Sequence, residues 1–164
     1  MATETASSGA DLVRGTVDAL NRGKPSELRQ LWAEDGVERF PDRTCRGIDE
    51  IVAYFEEALA AISDWRMEPL VIAEQGEDVF LRWRLTGKHS GPIQGIEPTG
   101  KSVTIDGIDH FVVRDGKIVS NFVVFDQMQY ARQLGMMPSE GTPGDRAVKA
   151  AFNATTKLRE RFNR

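Results

Sequence analysis

The sequence predicts an α+β protein in which three helices come first, mostly antiparallel strands follow, and a further helix ends the chain. Three observations lead to this prediction. First, apolar residues recur at helical spacing up to about residue 62. Second, apolar and polar residues alternate over much of the stretch from about residue 65 to residue 125. Third, helical spacing returns after residue 145. Three helices packed on one face of a curved sheet would enclose a cone.

Composition limits the functions that this chain can have. Its 164 residues correspond to one domain, and 40% of them are apolar, which is enough for a core. Lys and Arg number 21 against 25 Asp and Glu, so there is no cationic surplus with which to bind nucleic acid. No apolar run approaches the roughly 20 residues of a membrane span, and we expect no membrane contact.

Cysteine and histidine usage leads to two further expectations. The one cysteine, Cys45, cannot form an internal disulfide, and no secretory signal pattern begins the sequence, so we expect a cytoplasmic protein. With only two His and one Cys, a Cys/His zinc cluster is excluded. A site made of Asp and Glu is the weaker alternative, and we expect neither a metal nor a cofactor.

The helical elements come first. Residues 1–8 are small and polar and are predicted to form a flexible leader. A first helix is predicted from about Asp11 to Asn21, and a short second helix begins at Pro25 and ends before Asp35. A third begins near Gly47. Its apolar residues form one stripe at helical spacing: Ile48, Ile51, Val52, Phe55, Leu59 and Ile62.

The next segment changes to the period of a strand. Residues 79–86 alternate between apolar and polar side chains, which predicts a strand with one apolar face. The turn residues 75–78 before it indicate a hairpin from an earlier strand near residues 65–73. A loop rich in Gly and Pro follows, from Ser90 to Gly100.

The last two strands are joined by a tight turn, Arg114–Lys117. The first of them presents Val103, Ile105, Gly107, Asp109, Phe111 and Val113 on one face. The second, Ile118–Phe125, is apolar on both faces. Because such a sheet usually has helices on one face and a subunit on the other, we expect a homodimer that pairs through Phe122 and Val124.

The C-terminal part, residues 139–164, is predicted to be a loop followed by an amphipathic helix from about Asp145 to Phe162. The residues between Asp126 and this helix are interpreted as a loop because they are rich in Gly and Pro. An apolar stripe has no reason to exist on a free tail, so we expect this helix to pack on the body or on a partner subunit.

Five short motifs of the strand region occur in a recognisable order: Asp64-Trp65, Gly87–Gly91, Gly95–Lys101, Asp115–Ile118 and Gln133–Gly135. In this order they resemble the SnoaL-like polyketide cyclases of the nuclear transport factor 2-like, or ketosteroid isomerase-like, superfamily. The resemblance covers about residues 10–138 and implies a domain at 9–138 with a cone-shaped fold. It also implies a cyclase, isomerase or lyase of secondary metabolism that acts on an apolar small molecule.

The family's catalytic positions are only partly kept. The strand aspartate that acts as acid or base in SnoaL-like cyclases falls at Val123, and their pocket-facing histidine falls at Asp109. The stretch from Ile108 to Phe111 is similar to the ketosteroid isomerase strand whose protonated aspartate helps to form an oxyanion hole. The general base of those isomerases falls at Phe40 and their oxyanion tyrosine at Thr16.

Asp109 is the principal catalytic candidate. It interrupts an apolar strand face, so by alternation it points inward, where an unpaired carboxylate is costly. We expect desolvation to raise its pKa and to leave it as a neutral acid or a base. With Val123 and Phe40 apolar, no second carboxylate is expected to share its proton. The alternative is a structural carboxylate bonded to backbone amides or an arginine.

Two other polar residues are candidates. His89, at the end of its strand, has the chemistry of an acid or base but is equally suited to hold the adjoining loop through a backbone hydrogen bond. Asn121 lies on the same inward face of its strand as Val123. Its amide would polarise a substrate carbonyl, or it would be a core amide whose hydrogen bonds are made within the protein. The predicted substrate-binding set is Thr16, Trp32, Phe40, Trp83, Leu85, Phe111, Asn121, Val123 and Phe125.

Three functions compete at this point. The first is a cofactor-independent enzyme that moves a proton on a polyketide-, terpenoid- or steroid-like substrate, since cyclisation, isomerisation and dehydration share that step. The second is a non-catalytic binding protein of the same fold that has lost the usual carboxylates. The third is a purely structural dimer module. An acid inside an apolar cone argues against this function.

Overall fold

The computed structural model describes residues 8–162, and the α+β prediction is confirmed. Residues 1–7 of the predicted leader lie outside the described residues. The helices are α1 (Gly9–Asn21), a 3-10 helix (Pro25–Gln30), α2 (Ile48–Ala61), α3 (Gln127–Leu134) and α4 (Pro143–Phe162). The strands are β1 (Trp32–Arg39), β2 (Thr44–Arg46), β3 (Ile62–Gln75), β4 (Asp78–His89), β5 (Ser102–Arg114) and β6 (Lys117–Phe125).

The strands form one six-stranded sheet in the order β2-β1-β6-β5-β4-β3. All neighbouring pairs are antiparallel except β1 and β6, which are parallel. The turn between β5 and β6 places Asp115 and Gly116 at positive φ, 50° and 71°. A two-residue hairpin turn whose residues have positive φ matches the right-handed twist of the strands that it joins. The hairpin thereby sets Asp109 opposite Val123.

The first helix covers the β3 and β4 side of the sheet's inner face. The Ser8 side chain caps α1 by accepting a hydrogen bond from the Asp11 amide, and the Asp11 carboxylate accepts one from the Ser8 amide. Glu74 of β3 accepts hydrogen bonds from the Gly9 and Ala10 amides, at 3.0 and 2.9 Å. These bonds satisfy free N–H groups at the helix start and hold α1 against the sheet.

The predicted second helix requires a correction. It is a 3-10 helix that ends at Gln30, and Trp32 is the first residue of strand β1 rather than part of the helix. A register shift between Trp32 and Val37 interrupts the pairing of β1 with β6. Because this irregularity falls at Glu34, Asp35 and Gly36, the segment lacks the alternation by which a strand is recognised.

The predicted loop after Asp126 also requires a correction, because eight of its residues form α3. The Asp126 carboxylate accepts a hydrogen bond from the Gln129 amide at 2.9 Å, so this residue caps the helix. Gly135, at φ 82°, ends it. The Gln133 side chain pairs with both backbone groups of Thr104, at 2.6 and 2.8 Å, and fastens α3 to the edge of β5 beyond the end of β6.

Two apolar surfaces remain exposed. The outer sheet face presents Val71, Phe80, Ile108, Phe122 and Val124, each 45–54% exposed. On α4, the side chains of Val148, Phe152 and Leu158 are 51–71% exposed, so this stripe does not pack on the body of the same chain. The side chain of Phe162 lies outside the described residues. Of the helices in residues 8–162, none combines the length and apolar character needed to cross a membrane.

Candidate functional site

A cavity of about 330 Å³ lies between α2, the inner sheet face and α3. Its volume falls within the range of small-molecule sites. The lining comprises Glu38, Phe40, Asp42, Tyr54, Phe55, Ala58, Ile62, Trp65, Met67, Trp83, Leu85, Ile93, Gln94, Ile105, Asp109, Val123, Phe125, Gln127, Tyr130, Ala131, Leu134 and Met136. Most of these side chains are apolar or aromatic, and two of the three acids, Glu38 and Asp109, are almost completely buried.

Asp109 occupies the inward position that its strand parity predicts, and only 6% of its surface is exposed. Its Oδ1 accepts a hydrogen bond of 2.8 Å from Nε1 of Trp83 on the neighbouring strand. Trp83 lies opposite Gly107, and a Cβ on that glycine would stand 2.1 Å from the indole ring. The absence of a side chain at residue 107 therefore lets the indole reach across β5 to the carboxyl group.

Asn121 links Asp109 to a second buried carboxyl group, Glu38. Its Nδ2 donates to Oε1 of Glu38 at 2.8 Å and to Oδ2 of Asp109 at 3.3 Å. Glu38 is 2% exposed, and its Oε2 is buried with no hydrogen-bond partner among the described residues. The expectation that the pocket has no second carboxylate is therefore wrong. The parallel pairing of β1 with β6 sets Glu38 directly beside Asn121.

The environments of the two carboxyl groups differ. Burial raises the pKa of Asp109 to about 7, although the hydrogen bonds from Trp83 and Asn121 favour its charged form. Burial raises the pKa of Glu38 well above its ordinary value, opposed by the Asn121 hydrogen bond and reinforced by the negative charge of Asp109. Asp109 thus changes its charge near neutral pH, and burial favours the protonated form of Glu38.

The nine predicted substrate-binding residues divide into three groups. Five of them line the cavity with Asp109: Phe40, Trp83, Leu85, Val123 and Phe125. Asn121 is 2% exposed and contacts both carboxyl groups from behind the cavity wall. The remaining three are not in the lining. Thr16 donates its hydroxyl to the Leu12 carbonyl, and Trp32 packs edge to face on Phe111 in the core.

His89, the second predicted catalytic residue, is fully buried and does not line the cavity. Its Nδ1 accepts a hydrogen bond of 3.2 Å from the Thr99 amide and lies 3.0 Å from the Thr99 hydroxyl. Backbone bonds to Lys101 and Gly100 flank this contact. The structure thus places His89 where it holds the 90–100 loop, the alternative weighed from the sequence, and away from the two carboxyl groups.

Sequence reasoning missed much of the cavity wall besides Glu38. Tyr130 and Leu134 come from α3, which lies within the predicted loop, and Tyr54 lies on α2 but outside the apolar stripe predicted for that helix. Tyr130 and Leu134 are four residues apart, which is the spacing of one helix face, so this signal was present in the sequence. Glu38 had no such local signal, because its partner Asn121 is 83 residues away.

The described residues contain no group of three or more His, Cys, Asp or Glu side chains placed to hold a metal ion. A family model for SnoaL-like polyketide cyclases matches residues 10–134. The chain therefore belongs to the SnoaL-like polyketide cyclase family, as the motifs of its strand region indicated. A comparison with curated protein sequences finds no match.

Solved structures agree with this assignment. AclR from Streptomyces galilaeus, a candidate hydroxylase, is 26% identical with a TM-score of 0.70, and the match covers 93% of this chain and 95% of that one. IdmH from Streptomyces antibioticus, a candidate polyketide cyclase, is 27% identical with a TM-score of 0.66, covering 77% and 97%.

A third structure supports the fold alone. It is a hypothetical protein from Catenulispora acidiphila that is described as having a ketosteroid isomerase-like fold. It is 18% identical with a TM-score of 0.68, and the match covers 83% of this chain and all of that one. The cone-shaped nuclear transport factor 2-like fold inferred from the motifs is confirmed. Together with the family model, these neighbours support a small-molecule role of the cyclase or isomerase type.

Proposed function

We propose that this protein is a cofactor-independent acid–base enzyme that moves a proton on an apolar small molecule bearing a carbonyl or an epoxide. Asp109 is the base and Glu38 is the neutral acid that donates a hydrogen bond to the oxygen on which charge develops. The observation that carries the proposal is the pair of buried carboxyl groups, both lining one cavity and linked by the Asn121 amide.

The hydrogen bonds support this division of roles. Asp109 accepts from both Trp83 and Asn121, and each donor stabilises its charged form. Among the described residues Glu38 accepts only from Asn121, and its buried Oε2 has no partner, which suits a protonated acid whose hydroxyl still has a hydrogen bond to donate. A neutral carboxylic acid that donates to an enolate oxygen stabilises the transition state more than the ground-state carbonyl, because negative charge grows on that oxygen.

The substrate class follows from the walls of the cavity. Aromatic rings contribute much of its surface, from Phe40, Trp65, Trp83, Phe125 and Tyr130. Flat polycyclic molecules of the polyketide, terpenoid or steroid type would bury their apolar area against these rings. Cyclisation, isomerisation and dehydration each begin with the proton transfer that Asp109 would perform.

Deuterium exchange into a simple ketone tests the proposal without the natural substrate. The probe is 2-tetralone in D₂O buffer, with incorporation at its acidic CH₂ followed by NMR. We expect the protein to accelerate exchange above the buffer rate. Asp109→Asn should lower this rate by about 10²–10⁴-fold. The control is Asp106→Asn, an exposed residue of the same strand, which should leave the rate unchanged.

A binding protein without catalysis is the second candidate, because Val123 and Phe40 put apolar side chains where related enzymes have carboxylates, and both line the cavity. Quenching of tryptophan fluorescence by 2-tetralone, with exchange no faster than in buffer, would favour this candidate over the enzyme. Equal exchange rates for the native protein and Asp109→Asn would contradict the catalytic role of Asp109.

A further inference from the structure

The charges of the cavity wall are strongly one-sided. Three acids line it, Glu38, Asp42 and Asp109, and among the described lining residues there is no Lys, Arg or His. A ligand with a carboxylate or phosphate would therefore meet like charges in a poorly hydrated space, with no cationic side chain in the wall to offset them. The wall has the composition of a site for neutral or positively charged molecules.

Asp42 is the third acid of the cavity wall. It follows the end of β1 and is four residues from Glu38, so its Cα stands at most about 14 Å from that of Glu38. Its side chain is 17% exposed. Oδ2 accepts a hydrogen bond of 2.8 Å from Nε2 of Gln94 and lies 3.4 Å from Nε of Arg43.

Arg43 neutralises the charge of Asp42 only in part. Its guanidinium group also contacts Oε2 of Glu57 at 3.2 Å, so two carboxylates share one positive charge. Arg43 belongs to the neighbouring depression and not to the lining of the main cavity. Its carbon Cζ stands 5.0 Å from the centre of the Tyr54 ring, whose aromatic face is thus already in contact with one cation.

Aromatic rings line the same cavity as Asp42. Phe40 stacks on Tyr54 with ring centres 3.7 Å apart, and both line the cavity together with Tyr130. The negative charge of Asp42 adds to burial in raising the pKa of both tyrosines, which agrees with their lying within its field. A carboxylate beside aromatic rings in a partly desolvated space is the combination that binds ammonium groups.

We propose that the cavity takes a ligand that carries a protonated amine on an aromatic or polycyclic body, with the ammonium group at Asp42 and the body extending towards Glu38 and Asp109. A second observation points to a ligand in this cavity, because Oε2 of the buried lining residue Glu38 has no hydrogen-bond partner among the described residues. This inference concerns the cavity that holds Glu38 and Asp109. Binding of the amine does not depend on the proposed function, whereas reaction of the bound amine rests on it.

Three naphthalene probes of similar shape test the inference at equilibrium: 1-naphthylmethylamine, 1-naphthylmethanol and 1-naphthoate, titrated at pH 7.5 by calorimetry. We expect the amine to bind at least about tenfold more tightly than the alcohol, and the carboxylate to bind most weakly. Asp42→Asn keeps an acceptor for Gln94 but removes the charge. It should reduce the preference for the amine to below about threefold and leave the alcohol's affinity within about twofold.

Asp35→Asn is the matched control, since it removes the same charge from an exposed position of β1, and it should keep the full preference. Equal affinities for amine and alcohol in the native protein, no binding of the amine at millimolar concentration, or an unchanged preference in Asp42→Asn would each overturn the inference. These titrations measure no turnover, so such a result would leave the role of Asp109 in deuterium exchange standing. Loss of exchange alone would leave the amine preference standing.

Discussion

Nε1 of Trp83 donates a hydrogen bond of 2.8 Å to Oδ1 of Asp109, and this bond joins the neighbouring strands β4 and β5 on the inner sheet face at the cavity. Both residues are almost completely buried, at 4% and 6% exposure. Burial destabilises the charged form of the Asp109 carboxyl group, and the hydrogen bond from the indole stabilises it. The balance between these effects leaves Asp109 able to change its charge near neutral pH.

The first prediction concerns the pH dependence of exchange. If ionised Asp109 removes the proton, the rate of deuterium exchange into 2-tetralone should rise with pH and level off above a midpoint near 7. Trp83→Phe removes a donor to the carboxylate and should move this midpoint upward. The measurement is the rate profile from pH 5 to pH 9. A midpoint that moves downward in Trp83→Phe would be inconsistent with the hydrogen bond acting on Asp109.

The second prediction concerns the charge state of Glu38. Glu38→Gln keeps the acceptor for Asn121 but removes the acidic proton. We expect slower exchange with an unchanged pH midpoint, because a neutral Glu38 and a glutamine have the same charge. If Glu38 were ionised instead, its replacement would relieve repulsion and lower the midpoint for Asp109. The profile of this variant therefore decides which carboxyl group holds the proton.

The third prediction concerns stability. The pKa of Asp109 is higher in the folded protein than in the unfolded chain, so the folded state binds more protons between about pH 4 and pH 7. The free energy of unfolding should consequently fall as pH rises through this window, by up to about 4 kcal/mol for Asp109. Urea denaturation at several pH values should show this fall in the native protein relative to Asp109→Asn. A difference between the two proteins that stays constant with pH would contradict it.

The fourth prediction concerns Gly107. In Gly107→Ala the new methyl group would overlap the Trp83 indole, which must move and lose its bond to Asp109. We expect a loss of about 1–3 kcal/mol in the free energy of unfolding and slower exchange. Gly116→Ala provides the comparison, because its Cβ would meet no atom within 4 Å and its cost comes only from the positive φ. Exchange should be slowed in the first variant only.

The fifth prediction concerns the oligomeric state. We propose that the outer sheet face pairs two copies, because Phe122, Val124 and Ile108 form a contiguous apolar surface across β5 and β6. Light scattering should then give twice the chain mass of 18.3 kDa. Phe122→Glu should give monomers, whereas Phe152→Glu on α4 should not. A native protein that stays at 18.3 kDa at micromolar concentration would exclude this dimer.

Local pattern was sufficient for most of the fold. The apolar spacing in α1 and α2, and the alternation in β4 and β5, are set by which face meets the core, and this information lies in adjacent residues. The same alternation predicted that Asp109 points inward and that burial raises its pKa, and both predictions are confirmed. His110, one residue later, faces outward as parity required and pairs with Asp78.

Other features depended on contacts between distant segments. Strand β1 has a register shift and three successive residues, Glu34 to Gly36, with little apolar character, so its pairing with β2 and β6, and not a local pattern, identifies it as a strand. The pairing with β6 brings Glu38 to Asn121 and converts a single predicted acid into a pair. The sequence by itself determined the helix and strand faces, the family and the buried Asp109, because these follow from residues near one another or from ordered motifs. The tertiary structure alone decided which second carboxyl group shares the cavity with Asp109, because a strand's partner is chosen by packing across the whole sheet.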